Sequence, residues 1–292
     1  MSGRRGRLVV ALLVLCAAVV SAQRTSRRVF VAPRDAGGAP VVDLAREELS
    51  LVEGGVSREV IRVTRGTEPM RIVMIVDSSS AMSPHLTHVR AGLSAFLDAL
   101  LGDPELAMIS TGGQLRVRVA PTSEREKLKE AAAGFAHDGG GNSFVDTILE
   151  ADTRFLKTAP MRWPVFVMLL TDAGESRGQV PVDQFNRFVD DFVARGGNAH
   201  AIILKGNSSG IISDFAQNLA ENVAGTFETM NTANALPQKM TALARRINGD
   251  HYAMATRLEI EYASDAKAPS GGVDVRVARE GVRLQVSPRR PF

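Results

Sequence analysis

Two apolar runs dominate this chain. Ile72-Val73-Met74-Ile75-Val76 and Val165-Phe166-Val167-Met168-Leu169-Leu170 contain no polar residue. Each is short for a helix and lacks the alternation of a half-exposed strand. Such runs predict central strands covered on both faces, as in parallel sheets. Residues 200–204 form a third run, and 105–110, 115–119 and 225–229 read as further strands. The first two of these flank Gly112-Gly113, so they are expected to form a short antiparallel edge. Between the strands the apolar spacing changes to that of a helix. Leu86, Val89, Leu93, Phe96, Leu97 and Leu100 share one face, with Ser83 as the expected cap and Pro84 at the first position. Phe185, Phe188, Val189 and Phe192 share another. Residues 122–135 (with Ser123 and Glu126 near capping-box spacing), 144–156, 211–223 and 236–247 complete the helices. Strand and helix in alternation predict an α/β fold, a Rossmann-like, doubly wound and mostly parallel sheet.

The two ends follow a different rhythm. Residues 28–32 form a strand, and 33–40 read as a turn around Gly37-Gly38. Residues 45–48 suit one helical turn. Leu49-Ser50-Leu51-Val52-Glu53 alternates, Gly54-Gly55 turns, and 59–63 returns as a hairpin partner. At the other end, 256–262 alternates cleanly, and 272–277 and 282–286 follow it. Two or three strands are not stable alone. Head and tail are therefore expected to pair into one small β domain with the α/β unit inserted between them. The expected division is 23–66, 67–250 and 251–292.

Residues 1–22 stand apart. Arg4, Arg5 and Arg7 precede an apolar stretch from Leu8 to Val20, and small residues lead to Ala22. That is the pattern of a secretory signal peptide cut before Gln23. The stretch is too short to cross a roughly 30 Å hydrocarbon core, so no stable membrane anchor is expected after cleavage. The location expected is periplasmic or secreted. Leu15 before Cys16 is too large for a lipoprotein cleavage site.

Removing the leader changes the charge argument. The full chain has 35 basic and 32 acidic residues, and the leader takes three Arg and the single Cys with it. What remains is balanced, so bulk charge gives no reason to expect nucleic acid. An exported chain without cysteine depends on its core rather than on disulfides.

Chemistry gathers where the two apolar runs end. The first stops at Asp77, followed by Ser78-Ser79-Ser80-Ala81. The second stops at Thr171-Asp172-Ala173-Gly174. Central strands of an open α/β sheet present their C-terminal ends on one rim, where such sheets bind ligands. Gly139-Gly140-Gly141-Asn142-Ser143-Phe144-Val145-Asp146 forms a flexible loop that can bring Asn142 to the same rim, with Ser143 as the alternative. Hard oxygen donors suit Mg2+ or Ca2+.

These segments resemble the von Willebrand factor A domain and its metal-ion-dependent adhesion site. The family reads D-x-S-x-S after the first strand, and Asp77 and Ser79 match it. Ala81 stands where the second Ser is usual. The family's G-G-T-x-L-x-D loop is matched at Asp146, with Asn142 in the Thr position. Thr171 and Asp172 match its T-D-G turn, with Ala173 before the Gly. The stretch 38–44 followed by 49–55 is also similar to the segment that precedes the domain in a group of exported bacterial members. The resemblance implies a degenerate adhesion site at Asp77, Ser79, Asn142 and Asp172, holding Mg2+ or Ca2+ and gripping an acidic residue of a protein partner. A metal-free scaffold of the same fold is the alternative.

Enzymatic readings find little. There is no G-x-S-x-G elbow, no Gly-x-x-x-x-Gly-Lys-Ser/Thr loop, and no general base for a metal-activated water. No enzyme is expected. His85 and His88 lie close on one helix, without a third ligand at a zinc-site spacing. Phe residues at helical spacing read as core.

Overall fold

The chain enters and leaves through strands that pair with each other. In the computed structural model the described residues are 25–66, 69–159, 161–173, 181–206, 210–223, 225–264 and 272–287. The leader, Gly174 and Ala224 lie outside them. The head supplies β1 (Thr25–Arg34), β2 (Leu49–Glu53), β3 (Val56–Arg58) and β4 (Val60–Arg65). The α/β unit follows, with β5 (Met70–Val76), α1 (Leu86–Ala99), β6 (Glu105–Ser110), β7 (Arg116–Thr122), α2 (Arg125–Ala133) and α3 (Phe144–Ala151). It continues through β8 (Trp163–Thr171), α4 (Val182–Ala194), β9 (Asn198–Leu204), α5 (Ile211–Asn222), β10 (Thr226–Met230) and α6 (Leu236–Ala255). The tail adds β11 (Leu258–Ser264), β12 (Val273–Val277) and β13 (Arg283–Ser287).

The central sheet has the order β10-β9-β8-β5-β6-β7. All neighbours are parallel except β7, which runs antiparallel to β6 at the edge. The expected antiparallel edge is thus β7 alone. β5 is buried along its length because helices cover both faces of the sheet. Ile72, Met74 and Val76 join the layer formed with α1, α2 and α6. Val73 and Ile75 join the layer formed with α3, α4 and α5. That two-sided cover is why the run carries no polar alternation. The chain moves from β5 outward to β6 and β7, then crosses back to β8. β5 and β8 therefore lie at the switch point, with their C-terminal ends on one rim.

Head and tail form two further sheets, β13-β1-β11-β4 and β12-β2-β3. Each mixes strands from both ends of the chain. β1 pairs antiparallel with β11 from Thr25↔Ser264 to Val31↔Leu258, and β2 pairs with β12. Val29, Val31, Leu49, Leu51, Ile260, Tyr262 and Val275 share one core between the two sheets. Glu53 is buried in it. Tyr262 Oη and Ser264 Oγ donate to its two oxygens at 2.9 and 2.7 Å. Arg27 and Arg58 pair with it at 3.0 and 3.2 Å.

Local details differ from the sequence reading. The hairpin partner of β2 is the short β3. The stretch 59–63 belongs mostly to β4 and pairs with β11 in the other sheet. Gly54 and Gly55 both have positive φ, which sets the tight β2–β3 turn. Pro84 lies inside a 3-10 turn (Ser80–His85), and α1 starts only at Leu86. α2 starts at Arg125 with no side-chain cap, because Thr122 Oγ1 accepts from the Glu124 N–H instead. Helix 144–156 relaxes into a π-helical turn after Ala151. α6 runs on to Ala255. No helix among the described residues is long and apolar enough to cross a membrane.

Candidate functional site

The rim is built from the ends of three segments. Asp77 follows β5, and its N–H donates to Leu169 O of β8 at 2.8 Å. The last turn of the ladder thus carries the acid beyond the sheet without freeing it. Asp172 follows β8 on the adjacent strand, its N–H bonded to Leu204 O at 2.9 Å. Asn142 arrives from the glycine loop. Gly139 and Gly140 have φ of +82° and +69°, the left-handed conformation that side chains disfavour. Backbone bonds from Ser80 N to Gly140 O and from Gly113 N to Gly141 O fix that loop, and Asn142 bridges to Gly112.

Three of the four expected residues meet. Asp77 has 0% exposure, Asn142 1% and Ser79 2%. The Ser79 N–H donates to Asp77 Oδ1 at 2.8 Å. Asn142 Nδ2 and the Thr171 N–H donate to Oδ2 at 2.8 and 3.1 Å. Burial pushes the Asp77 carboxyl above its ordinary range. The N–H groups of Ser79 and Thr171, the Ser79 hydroxyl and the Asn142 amide all oppose that shift. The Ser79 hydroxyl is close enough to favour the carboxylate, yet completes no hydrogen bond of good geometry. Asn142 Oδ1 has no hydrogen-bond partner either. Asp172 is half-buried and sits one residue beyond the Thr171 N–H that holds Asp77. Ser143 is turned away. Its Oγ and N–H both donate to Thr111 O.

A layer beneath these residues escaped the sequence reading. Asp138 accepts from Ser78 Oγ at 2.7 Å and from Ser110 Oγ at 2.9 Å, and pairs with Arg118 and Arg116. Burial opposes its ionisation, but those hydroxyls and guanidiniums prevail and hold it below the usual carboxylate range. Ser78 Oγ also accepts from the Gly112 N–H at 2.8 Å. The approach is so close that a Cβ on Gly112 would lie 2.6 Å from Ser78 O. Asp138 thus links the Asp77 turn, the β6 end and the glycine loop. An acid directly before three glycines, with Arg116 and Arg118 two apart on one strand face, is the signal that sequence offered. Among the described residues no cluster of three or more His, Cys, Asp or Glu forms, so a metal at this rim must rely on two carboxylates and neutral oxygens.

No family model and no curated protein matches the sequence. Solved structures do match the fold. A von Willebrand factor type A protein from Catenulispora acidiphila aligns with a TM-score of 0.53 at 13% identity, over 91% of this chain and 72% of its own. The pilus adhesin SpaC from Lactobacillus rhamnosus GG, in an open conformation, gives 0.51 at 13% identity, over 85% of this chain and 42% of its own. The manganese-loaded TRAP protein of Plasmodium vivax gives 0.50 at 14% identity, over 77% of this chain and 95% of its own.

Proposed function

We propose that this chain, which has the von Willebrand factor A fold, is an exported protein-binding module with a divalent-cation site at its rim. One observation carries the reading. Ser79 Oγ and Asn142 Oδ1 are buried oxygens without a hydrogen-bond partner, on the two residues that already contact the buried Asp77 carboxylate. Buried polar atoms are nearly always satisfied, so an unsatisfied pair beside a carboxylate fits an absent group. Asp77, Ser79 and Asn142 Oδ1, with Asp172 at the end of the adjacent strand, would offer oxygen donors and two negative charges to a cation. That donor set fits Mg2+ or Ca2+.

A bound cation would supply a Lewis-acidic centre that accepts a carboxylate oxygen from a partner's Asp or Glu. The chain's own groups do the positioning. The Asp138 network holds the Ser78 turn against the glycine loop, and the Thr171 N–H orients Asp77. The manganese in the TRAP structure and the adhesive role of SpaC support the reading by analogy of fold. The leader pattern supports export. The role is binding rather than catalysis.

Calorimetric titration with Mg2+ and Ca2+ tests this. Wild type should bind one ion, Asp77→Asn should bind none, and circular dichroism should show both folded. Equal heats in the two proteins would end the reading. A second reading has its own observation. Asp77 already accepts three N–H donors, which is what a metal-free scaffold would need. Absence of any binding to wild type would favour it.

A further inference from the structure

The contact between Asp77 and Asn142 is the wrong way round for a cation site. Both side chains are buried, and the amide nitrogen of Asn142, a donor, points at Asp77 Oδ2 from 2.8 Å. Turning the amide over would put Asn142 Oδ1 against that oxygen. Two acceptors at that distance repel unless a cation or a proton lies between them. The amide orientation therefore depends on whether such a charge is present. In its present orientation the amide satisfies Asp77 and leaves Oδ1 as a buried acceptor without a donor. Ser79 Oγ is left in the same condition.

The backbone offers no other way out. Asn142 is bridged to Gly112, its neighbour Gly141 accepts from Gly113 N, and Gly112 is pressed against Ser78. With that backbone held, rotation of the Asn142 side chain is the direct way to change which of its atoms faces Asp77.

We propose that Asn142 is an intramolecular stand-in for the cation, and therefore a gate on the rim site. Without an ion, its Nδ2 occupies Asp77 and stabilises the buried charge. An entering divalent ion must break that hydrogen bond and turn the amide so that Oδ1 faces it. The gate raises the ion concentration at which the rim becomes competent for an acidic partner. This rests on the cation reading above and adds what controls it.

The test uses the full chain in three forms: wild type, Asn142→Asp and Asn142→Thr. Asn142→Thr removes the amide donor without adding charge but supplies the hydroxyl that the resemblance places here, so the gate itself is read from the wild-type amide resonances and from the melts in EDTA. Each is titrated calorimetrically with Mn2+ and Mg2+, and melted in EDTA and in saturating Mn2+. Asn142→Thr should bind about tenfold more tightly than wild type, the equivalent of one lost hydrogen bond to a charged group. Asn142→Asp should melt below wild type in EDTA, because two carboxylates then face each other. It should also gain more from Mn2+ than wild type does. In wild type, the Asn142 side-chain NH2 resonances should shift on saturation with diamagnetic Mg2+. If all three forms bind equally, or if those resonances do not move, the gate is wrong while the cation site stands. If only the variants bind, the gate stands and the cation reading for wild type falls. If none binds, both fall.

Discussion

Glu53 should decide whether the head and tail of the chain stay together. It lies on β2, and its hydroxyl partners Tyr262 and Ser264 lie on β11, more than two hundred positions later. Replacing it with Ala removes the carboxylate that accepts from the Tyr262 and Ser264 hydroxyls and pairs with Arg27 and Arg58. Breaking a buried ion pair costs about 3–5 kcal/mol. Arg27 and Arg58 keep 28% and 13% of their side-chain surface in water, so rehydration recovers part of that. The expected loss is about 3 kcal/mol, the lower end of that range. With a urea m-value of about 2 kcal/mol/M, the midpoint should fall by about 1.5 M. Glu53→Gln keeps the shape and an acceptor, and should cost about 1–2 kcal/mol. Burial opposes ionisation of the Glu53 carboxyl, but the Ser264 and Tyr262 hydroxyls and the Arg27 guanidinium prevail and hold it below its ordinary range. Its stabilisation is therefore full above the unfolded pKa and lost as pH falls through the folded one. Glu53→Gln should lack that acid-dependent component. Urea denaturation at pH 7 and pH 4, with hydrogen exchange of the β1 and β11 amides, measures all of this. Unchanged midpoints and unchanged exchange in Glu53→Ala would refute the idea that this carboxylate joins the two ends.

Three other outcomes follow from the structure. Gly112→Ala places a Cβ 2.6 Å from Ser78 O and should cost about 1–3 kcal/mol by overpacking, with cation binding weakened in calorimetry because Asn142 is bridged to Gly112. Ala81→Ser restores the hydroxyl that related sites carry and should tighten cation binding about fivefold, checked by the same titration. His200 is buried, with Nδ1 2.9 Å from Thr226 Oγ1, and burial together with the Arg246 charge pushes its pKa down to about 4. Because the unfolded chain protonates near 6.5, about 3 kcal/mol of stability should drain away as pH falls from 6.5 to 4. His200→Gln should flatten that part of the melting-temperature profile, and an unchanged profile would exclude His200 as its source.

Sequence made the central sheet legible because burial on both faces leaves a pattern no other element shares. Arg71 through Val76 and Val165 through Thr171 could only be inner strands, and their terminal acids had to share a rim. The pairing of the two chain ends was also legible, since neither set of strands is stable by itself. Helix starts were not. Ser83 has the residue type of a cap, but Pro84 suits a 3-10 turn as well as a helix start, and the chain takes that turn from Ser80 to His85. The return of the first hairpin was misplaced because the apolar residues of 59–63 follow a glycine turn as a hairpin strand would, and only the bulged pairing with β11 shows where they go. Asn142 was legible as a rim residue from its place after three glycines. The direction of its amide was not, since that depends on Asp77, 65 positions away. Asp138 carried only a faint signal for a related reason: its partners Ser78, Ser110, Arg116 and Arg118 come together only through the sheet order.

The most direct measurement is anomalous X-ray scattering from crystals of the full chain soaked in Mn2+. One manganese should appear among Asp77, Ser79, Asn142 and Asp172, with Asn142 Oδ1 rather than Nδ2 turned toward it. A map with no peak at this rim, and Asn142 Nδ2 still bonded to Asp77, would contradict the account.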